Sequence, residues 1–335
     1  MSADTESDES VFWYFSVLWP EMRMKIIDSM EPKDRCRYAA CSHFSWEEAR
    51  NSKEFIYEMR FYAYSEHCLI IEIWFNKYNE TEKKREGIKL KFEKRSGSTH
   101  IIYYNLYDKE LYKIELDNST NLIQLTVDHF KSKLQFYQNT VKKLVFKGEL
   151  FETVLNNYDF GLTSMTNLEV LEVCDGIDFR QLTSLIRFPL KEFQYFGHAS
   201  SIVTNCQQIY QVQYRVGVSH TTFTNEQFCQ LSAMQIQMPI GNMTEYNVAN
   251  FITSWQNGKL REKFQSCYWD LLGWRFDVSK LLRLVQLEAA SEDDDFDRVL
   301  KTANGRVAML RYNNDHFYDV KSLFFKVENN NRNQQ

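Results

Sequence analysis

The chain has 335 residues, 44% hydrophobic and 25% charged, with 40 Lys and Arg against 45 Asp and Glu for a net charge of −5. That apolar share supplies a large buried core, and the mixed signs leave no broad basic field of the kind that holds nucleic acid. With 11 Gly and 4 Pro, and with neither GxGxxG nor GxxxxGK[ST] present, glycine-cradled phosphate sites are excluded as well.

The opening "MSADTESDES" (1–10) is acidic. It reads as a disordered tail and lacks the basic start and apolar run of a secretory signal. The cysteines Cys36, Cys41, Cys68, Cys174, Cys206, Cys229 and Cys267 are scattered, odd in number and without a CxxC pair. Reduced thiols in a cytoplasmic or nuclear protein explain them better than a disulfide framework. The longest oily stretch, Cys68–Phe75, contains Glu72 and is too short to span a bilayer. Sequons at Asn79, Asn118 and Asn242 read as chance matches without such a signal.

Residues 11–60 read as a helical module. Pro20 suits a first helical turn, Met22, Ile26 and Met30 recur at four-residue steps, and Ile27 widens their stripe. Glu21 complements the helix dipole. A second helix starts at Glu31-Pro32, with Cys36, Ala39 and Ala40 on its inner side. A third starts at Ser45, with Glu48 spaced as a capping box and Phe44 and Ala49 as a hydrophobic staple. Three short helices bury too little surface to be very stable alone, so a partner or a neighbouring domain must cover part of them.

The chain then reads as helical to about Tyr64. Three strand-like runs follow at 68–75, 88–94 and 100–107, the last two flanking the turn "RSGST", so that residues 65–115 predict a small antiparallel sheet. Over 116–327 one short word recurs: apolar, two residues, apolar, one residue, apolar. It reads Leu122/Leu125/Val127, Val141/Leu144/Phe146, Leu168/Leu171/Val173, Leu190/Phe193/Tyr195, Ile209/Val212/Tyr214 and Leu231/Met234/Ile236, with weaker copies at Phe264/Cys267/Trp269 and Leu282/Val285/Leu287. Copies spaced roughly 18 to 33 residues apart fall in the leucine-rich-repeat range. "VLNNYDFGLTSM" and "FTNEQFCQ" suit helical returns between strands. Gly176, His198 and Gly217 stand where a regular repeat has its Asn or Cys, which predicts an irregular solenoid without that ladder. Thr244 caps a helix carrying Val248, Phe251, Ile252 and Trp255 on one stripe, and Gly258 stops it. Asn304-Gly305 turns a closing hairpin, and 328–335 read as a disordered tail. The expected fold is therefore α+β: three N-terminal helices followed by an irregular leucine-rich-repeat-like α/β solenoid with flanking antiparallel hairpins.

The N-terminal elements Trp19-Pro20, Met22-x-Met24-x-Ile26-Ile27, Met30-Glu31-Pro32, Arg35 and Cys41-Ser42-His43-Phe44 resemble the F-box, and "KIIDSMEPKDRCRY" looks like the F-boxes of the large nematode families. Trp19 departs from the Leu usual before the first Pro. Asn247, Phe251, Ile252, Trp255 and Gly258, with "KTANGRVAMLRYNNDHFYDVKSLFF" further on, resemble the nematode F-box-associated segment. The resemblance implies a non-catalytic substrate-recognition subunit of a cullin–RING (SCF-type) ubiquitin ligase. A Skp-family adaptor would be bound through Trp19, Pro20, Met22, Ile26, Ile27, Met30 and Pro32. An unknown protein substrate would be bound through the C-terminal domain, with no cofactor, metal, nucleic acid or membrane involved.

Sites of chemistry are not evident. Cys36, Cys41 and His43 fit no zinc spacing, and His43, His67, His100, His129, His198, His220 and His316 are isolated. Glu47-Glu48 and "SEDDDFD" (291–297) read as solvated carboxylates, and Tyr195 and Tyr214 as core. Two rivals stand beside the ligase reading. One is a repeat-type interaction scaffold with no ubiquitin role, in which residues 18–55 cap the solenoid; the other is an enzyme whose site the sequence does not mark.

Overall fold

The computed structural model describes residues 18–30, 34, 38, 45, 48, 56–75, 87–95, 97–105, 109–117, 120–137, 141–165, 167–174, 179–186, 189–197, 204–219, 223–259, 263–271, 275–287, 295–302, 305–315 and 320–328. Apolar residues alternating with polar ones build the strands, because a period of two sends every second side chain to one face. In chain order they are β1 (Glu58–Ser65), β2 (Cys68–Trp74), β3 (Gly87–Arg95), β4 (Ser98–Asn105), β5 (Glu110–Leu116), β6 (Lys143–Lys147) and β7 (Val170–Cys174). Then come β8 (Glu192–Phe196), β9 (Arg215–Ser219), β10 (Gln235–Pro239), β11 (Ser266–Asp270), β12 (Phe296–Lys301), β13 (Val307–Asp315) and β14 (Val320–Val327).

All belong to one 14-stranded sheet, in the order β12-β13-β14-β11-β10-β9-β8-β7-β6-β1-β2-β3-β4-β5. Its centre is parallel. From β6 to β11 the chain moves over by one strand at each step, and β1 joins this block parallel to β6. The meander β1–β5 extends one end and β14-β13-β12 the other, both antiparallel. Residues 65–115 therefore do form antiparallel strands, continuous with the sheet of the repeat region.

The described helices are α1 (Pro20–Ser29), α2 (Leu122–Phe136), α3 (Phe151–Asn157), α4 (Phe179–Leu185), α5 (Asn225–Gln230), α6 (Glu245–Gln256) and α7 (Val278–Leu284), with 3-10 turns at Leu162–Ser164 and Gln207–Gln211. Those from α2 onward pack on one face of the sheet. Phe130 of α2 and Phe151 of α3 meet Phe61 and Phe146; Phe228 of α5 and Phe251 of α6 meet Trp269; Trp255 of α6 meets Phe325. These rings are buried, and such pairs are worth about 0.5–1.5 kcal/mol each beyond the area they remove from water.

Several expectations hold. In Val141/Leu144/Phe146, Leu168/Leu171/Val173, Leu190/Phe193/Tyr195 and Phe264/Cys267/Trp269 the second and third residues lie buried in β6, β7, β8 and β11, and the first is buried just before the strand. The expected helical returns are α3 with its following 3-10 turn, and α5. Val248, Phe251, Ile252 and Trp255 line the buried side of α6, and Gly258 stops the chain at φ +69. Gly305, at φ +82, lies in the connection of the β12–β13 hairpin.

Others are corrected. The passage to Tyr64 ends in a strand, β1, with Met59, Phe61 and Ala63 inward. Leu122/Leu125/Val127 lies in α2, which Asn121 caps by accepting from the Gln124 N–H, and Leu282/Val285/Leu287 lies in α7 and just beyond it. Ile209/Val212/Tyr214 covers a 3-10 turn and precedes β9, whose buried residues are Val216 and Val218. In Leu231/Met234/Ile236 only Ile236 lies in β10. Of the N-terminal module, α1 is described together with Asp34, Tyr38, Ser45 and Glu48, each helical; the bounds of the second and third helices lie outside the described residues. So do the tail at 1–10 and residues 329–335, whereas the Glu328 N–H still bonds to the Val307 carbonyl at 2.8 Å. Among the described residues no helix is long and apolar enough to cross a membrane.

Candidate functional site

Helix α1 begins after Trp19, where the extended backbone (φ −58, ψ 144) turns into Pro20. Proline fits there because the first helical N–H needs no partner. The helix ends at Met30, whose N–H bonds to the Ile26 and Ile27 carbonyls before the backbone extends again. Its two sides differ. Ile27 is fully buried, whereas Trp19 is 74% exposed, Met22 54% and Ile26 38%. Pro20 is exposed and Met30 half-buried, while Pro32 lies outside the described residues. Trp19, Met22, Ile26 and Met30 are three or four residues apart, so they form one stripe along the helix. The sequence reading placed Ile27 with them; the structure turns it inward.

The inner side is held by a polar clamp that the sequence reading missed. The Arg23 Nε donates to Glu48 Oε1 at 2.7 Å and its Nη1 to the Leu18 carbonyl at 2.7 Å, while the Tyr38 hydroxyl donates to Glu48 Oε2 at 2.6 Å. Both ion-pair side chains are 11% exposed. Glu48 is thus a buried anchor rather than a solvated carboxylate, and Tyr38 also packs against the main core. Removing one partner of a pair this enclosed leaves an uncompensated charge, which costs about 3–5 kcal/mol.

The second surface is the sheet face opposite the helices. On the β1–β2–β6–β7 side five charged residues pair with one another. Arg60 bonds Glu58 (2.5 Å) and lies 3.7 Å from Glu72; Lys143 bonds Glu172 (2.8 Å) and lies 3.8 Å from Glu58. The Tyr62 hydroxyl links Arg60 to Glu72; burial, with the Glu72 charge beside it, pushes its pKa up to about 12. Arg60 also stacks over the Trp74 ring at 5.2 Å.

Across β9, β10, β11 and β14 the same face opens into a cleft of about 400 Å³, lined by Arg215, Gln235, Gln237, Ser266, Tyr268, Phe324 and Lys326 among others. Two rows of the register build it. One runs Arg215–Gln235–Ser266–Lys326 and the next Gly217–Gln237–Tyr268–Phe324. Tyr214, expected in the core, is 38% exposed and bonds Gln235 at 3.1 Å; Tyr195 is fully buried.

Groups suited to chemistry stay apart. No three His, Cys, Asp or Glu could hold a metal among the described residues. Cys68, Cys174, Cys206, Cys229 and Cys267 are not in disulfides, and burial raises the Cys267 pKa well above the usual thiol range. His129 meets the Phe92 ring edge-on, and burial, then Lys133, lowers its pKa; His100 is buried beside the Ser98 hydroxyl. Asp297 of the acidic run pairs with Arg311. Cys36, Cys41, His43, His198, His220 and His316 lie outside the described residues.

The class these observations define is an α+β protein with a wide, mostly open sheet, helices on one face and a short helix near its N-terminus that exposes Met22 and Ile26. No family model, curated protein or solved structure matches the chain.

Proposed function

We propose that the chain is the substrate-recognition subunit of a cullin–RING ubiquitin ligase, acting in the cytoplasm or nucleus. A Skp-family adaptor docks on α1, and the open sheet, an irregular leucine-rich-repeat-like solenoid of the nematode F-box-associated type, holds the protein to be modified. The observation that carries this reading is the outward stripe of α1: Trp19, Met22 and Ile26 stay exposed on a helix that buries Ile27. An apolar helix face kept in water is a docking surface in want of a partner. Burying each large side chain contributes roughly 1.5–3 kcal/mol, so a handful can outweigh the cost of association. The chain performs no chemistry itself; it holds a target lysine near the charged conjugating enzyme and so raises its effective concentration.

The test is capture of a recombinant Skp-family adaptor by the full chain. Met22→Asp and Ile26→Asp abolish capture while the melting temperature stays within about 1–2 °C of the parent, since both side chains already meet solvent. Undiminished capture by both variants would refute the assignment. The companion deletion stops at residue 55, because Ile56 is buried and β1 starts at Glu58. A deletion that stays folded but loses capture supports a separate docking module; one that unfolds favours the scaffold in which these residues cap the sheet.

A further inference from the structure

We propose that the cleft across β9, β10, β11 and β14 binds an extended acidic peptide, two carboxylates four residues apart with an apolar side chain midway. This names the class of target for the recognition role proposed above and rests on that role.

On the other half of this face Arg60 and Lys143 are ion-paired, while Lys147 at the end of β6 has no carboxylate within 4.0 Å among the described residues and stands alone rather than across a cleft from a second cation. Arg215 and Lys326 have no carboxylate within 4.0 Å among the described residues. Glu192 stands beside Arg215 in the register, yet the guanidinium turns the other way and donates to Gln237 Oε1 at 2.9 Å. The cleft is thus edged by two uncompensated positive charges, one on β9 and one on β14.

Geometry sets the spacing. β9 and β14 are three strand spacings apart, about 14 Å at ~4.8 Å each, and an extended peptide covers about 14 Å in four residues at ~3.4 Å each. Residues i, i+2 and i+4 of an extended chain point the same way. A peptide laid across the strands therefore offers carboxylates to Arg215 and Lys326 together. Its middle side chain falls at the β10–β11 seam, beside the Tyr268 ring of the next row, whose centroid is 6.4 Å from that of Phe324. Gln235, Gln237 and Ser266 supply donors and acceptors for the peptide backbone. Each anchor is a single cation, which suits a carboxylate better than a phosphate, whose double charge favours clustered arginines.

The probe is a fluorescein-labelled peptide with the core Asp-Ala-Phe-Ala-Asp, read by fluorescence anisotropy against the full chain. Controls replace both Asp by Lys, or place the two Asp side by side. The acidic spaced peptide binds at least about tenfold more tightly than either control, and more weakly as salt rises. The double variant Arg215→Glu/Lys326→Glu loses at least about tenfold for the Asp peptide and gains affinity for the Lys peptide; Arg215→Gln/Lys326→Gln serves if the reversal fails to fold. Equal binding of acidic and basic peptides, absence of binding, or indifference to both double variants overturns the inference. Adaptor capture is measured on the same samples. Lost peptide binding with intact capture defeats the acidic-peptide inference alone, and lost capture with intact peptide binding defeats the adaptor role alone.

Discussion

Gly148→Ala should be the most damaging single-methyl change in the sheet. Gly148 sits where β6 turns toward α3, at φ +114, a backbone conformation that L side chains rarely adopt. A β-carbon there would lie 2.3 Å from the Ala63 carbonyl oxygen, 2.6 Å from its carbon and 2.9 Å from its nitrogen. All three are backbone atoms of a central strand and cannot swing aside as a side-chain tip would. The Leu150 N–H also bonds to the same Ala63 carbonyl at 3.2 Å, so pushing β1 away breaks that bond as well. The disfavoured backbone costs about 1–3 kcal/mol, the lost bond about 0.5–1.5 and the forced shift about 1–3. Together they come to roughly 3–7 kcal/mol, a large part of a typical total of 5–15. For a chain of 335 residues, about 2.1 cal/mol/K of unfolding entropy per residue turns this into a fall in Tm of roughly 4–10 °C. Gly305→Ala is the control, because its φ is also positive (+82) while nothing lies within 4 Å of the added carbon. Calorimetry of both variants separates backbone strain from collision. Equal, small shifts would refute the claim that Ala63 is pressed against this turn.

Two further outcomes follow from burial and charge. Ile27→Ala removes a fully buried side chain and lowers stability by about 2–5 kcal/mol, measurable by denaturant titration or, if α1 opens locally, by faster amide exchange within 20–29; an unchanged α1 would contradict its inward placement. Stability should also decline as pH falls, in two stages. The His129 pKa is lowered by burial, so the unfolded chain takes the proton first and stability begins to fall below the ordinary histidine value of 6.5. Glu245 is buried, which raises its pKa, but the Asp277 N–H and Lys280 outweigh that and hold it below 4.5. Glu169 is held low by Lys191 and Lys142. Groups depressed in this way contribute stability that is present above their unfolded pKa and is lost as pH drops below it, so the steeper loss begins near pH 4.5. Thermal melts from pH 8 to 3.5 check this, and a stability maximum on the acid side of 5 would contradict it.

The sequence made β2, β3 and β4 plain because each is a short run rich in β-branched or aromatic residues next to turn or charged residues, and β3 alternates strictly as well. β1 was hidden. "EFIYEMRFYAY" carries apolar residues at helical as well as strand spacing, and only its neighbours β2 and β6 decide in favour of the strand. The word apolar-x-x-apolar-x-apolar is ambiguous for the same reason, since a three-residue step also fits a helix. In α2 the rhythm continues through Val127, Phe130 and Leu134, all buried, and that longer helical period separates it from the five-residue strands. The interior of the parallel block could thus be read locally, whereas the phase of β9 and β10 could not.

The two surfaces differ in how far a sequence can reveal them. The stripe on α1 is local: Met22 and Ile26 within the helix and Trp19 and Met30 at its two caps, three or four residues apart, display it, and only the inward turn of Ile27 needs the fold. The cleft is not local. Arg215, Gln235, Ser266 and Lys326 are far apart in the chain and share a row only because the parallel register aligns them and β14 returns antiparallel beside β11. Glu48 follows the same logic, since its partners Arg23 and Tyr38 lie 25 and 10 residues away. Charge pairing then gives the open face its asymmetry. On β1, β2, β6 and β7, neighbouring strands supply opposite charges, which lowers the cost of keeping them half-buried. On β9 and β14 the sheet places amides, a hydroxyl and aromatic rings between two cations. Nothing in folding requires those cations to stay unpaired: a Glu at position 266 would stand between Arg215 and Lys326 and could pair with either. With Ser266 there, the row itself supplies neither cation with a carboxylate.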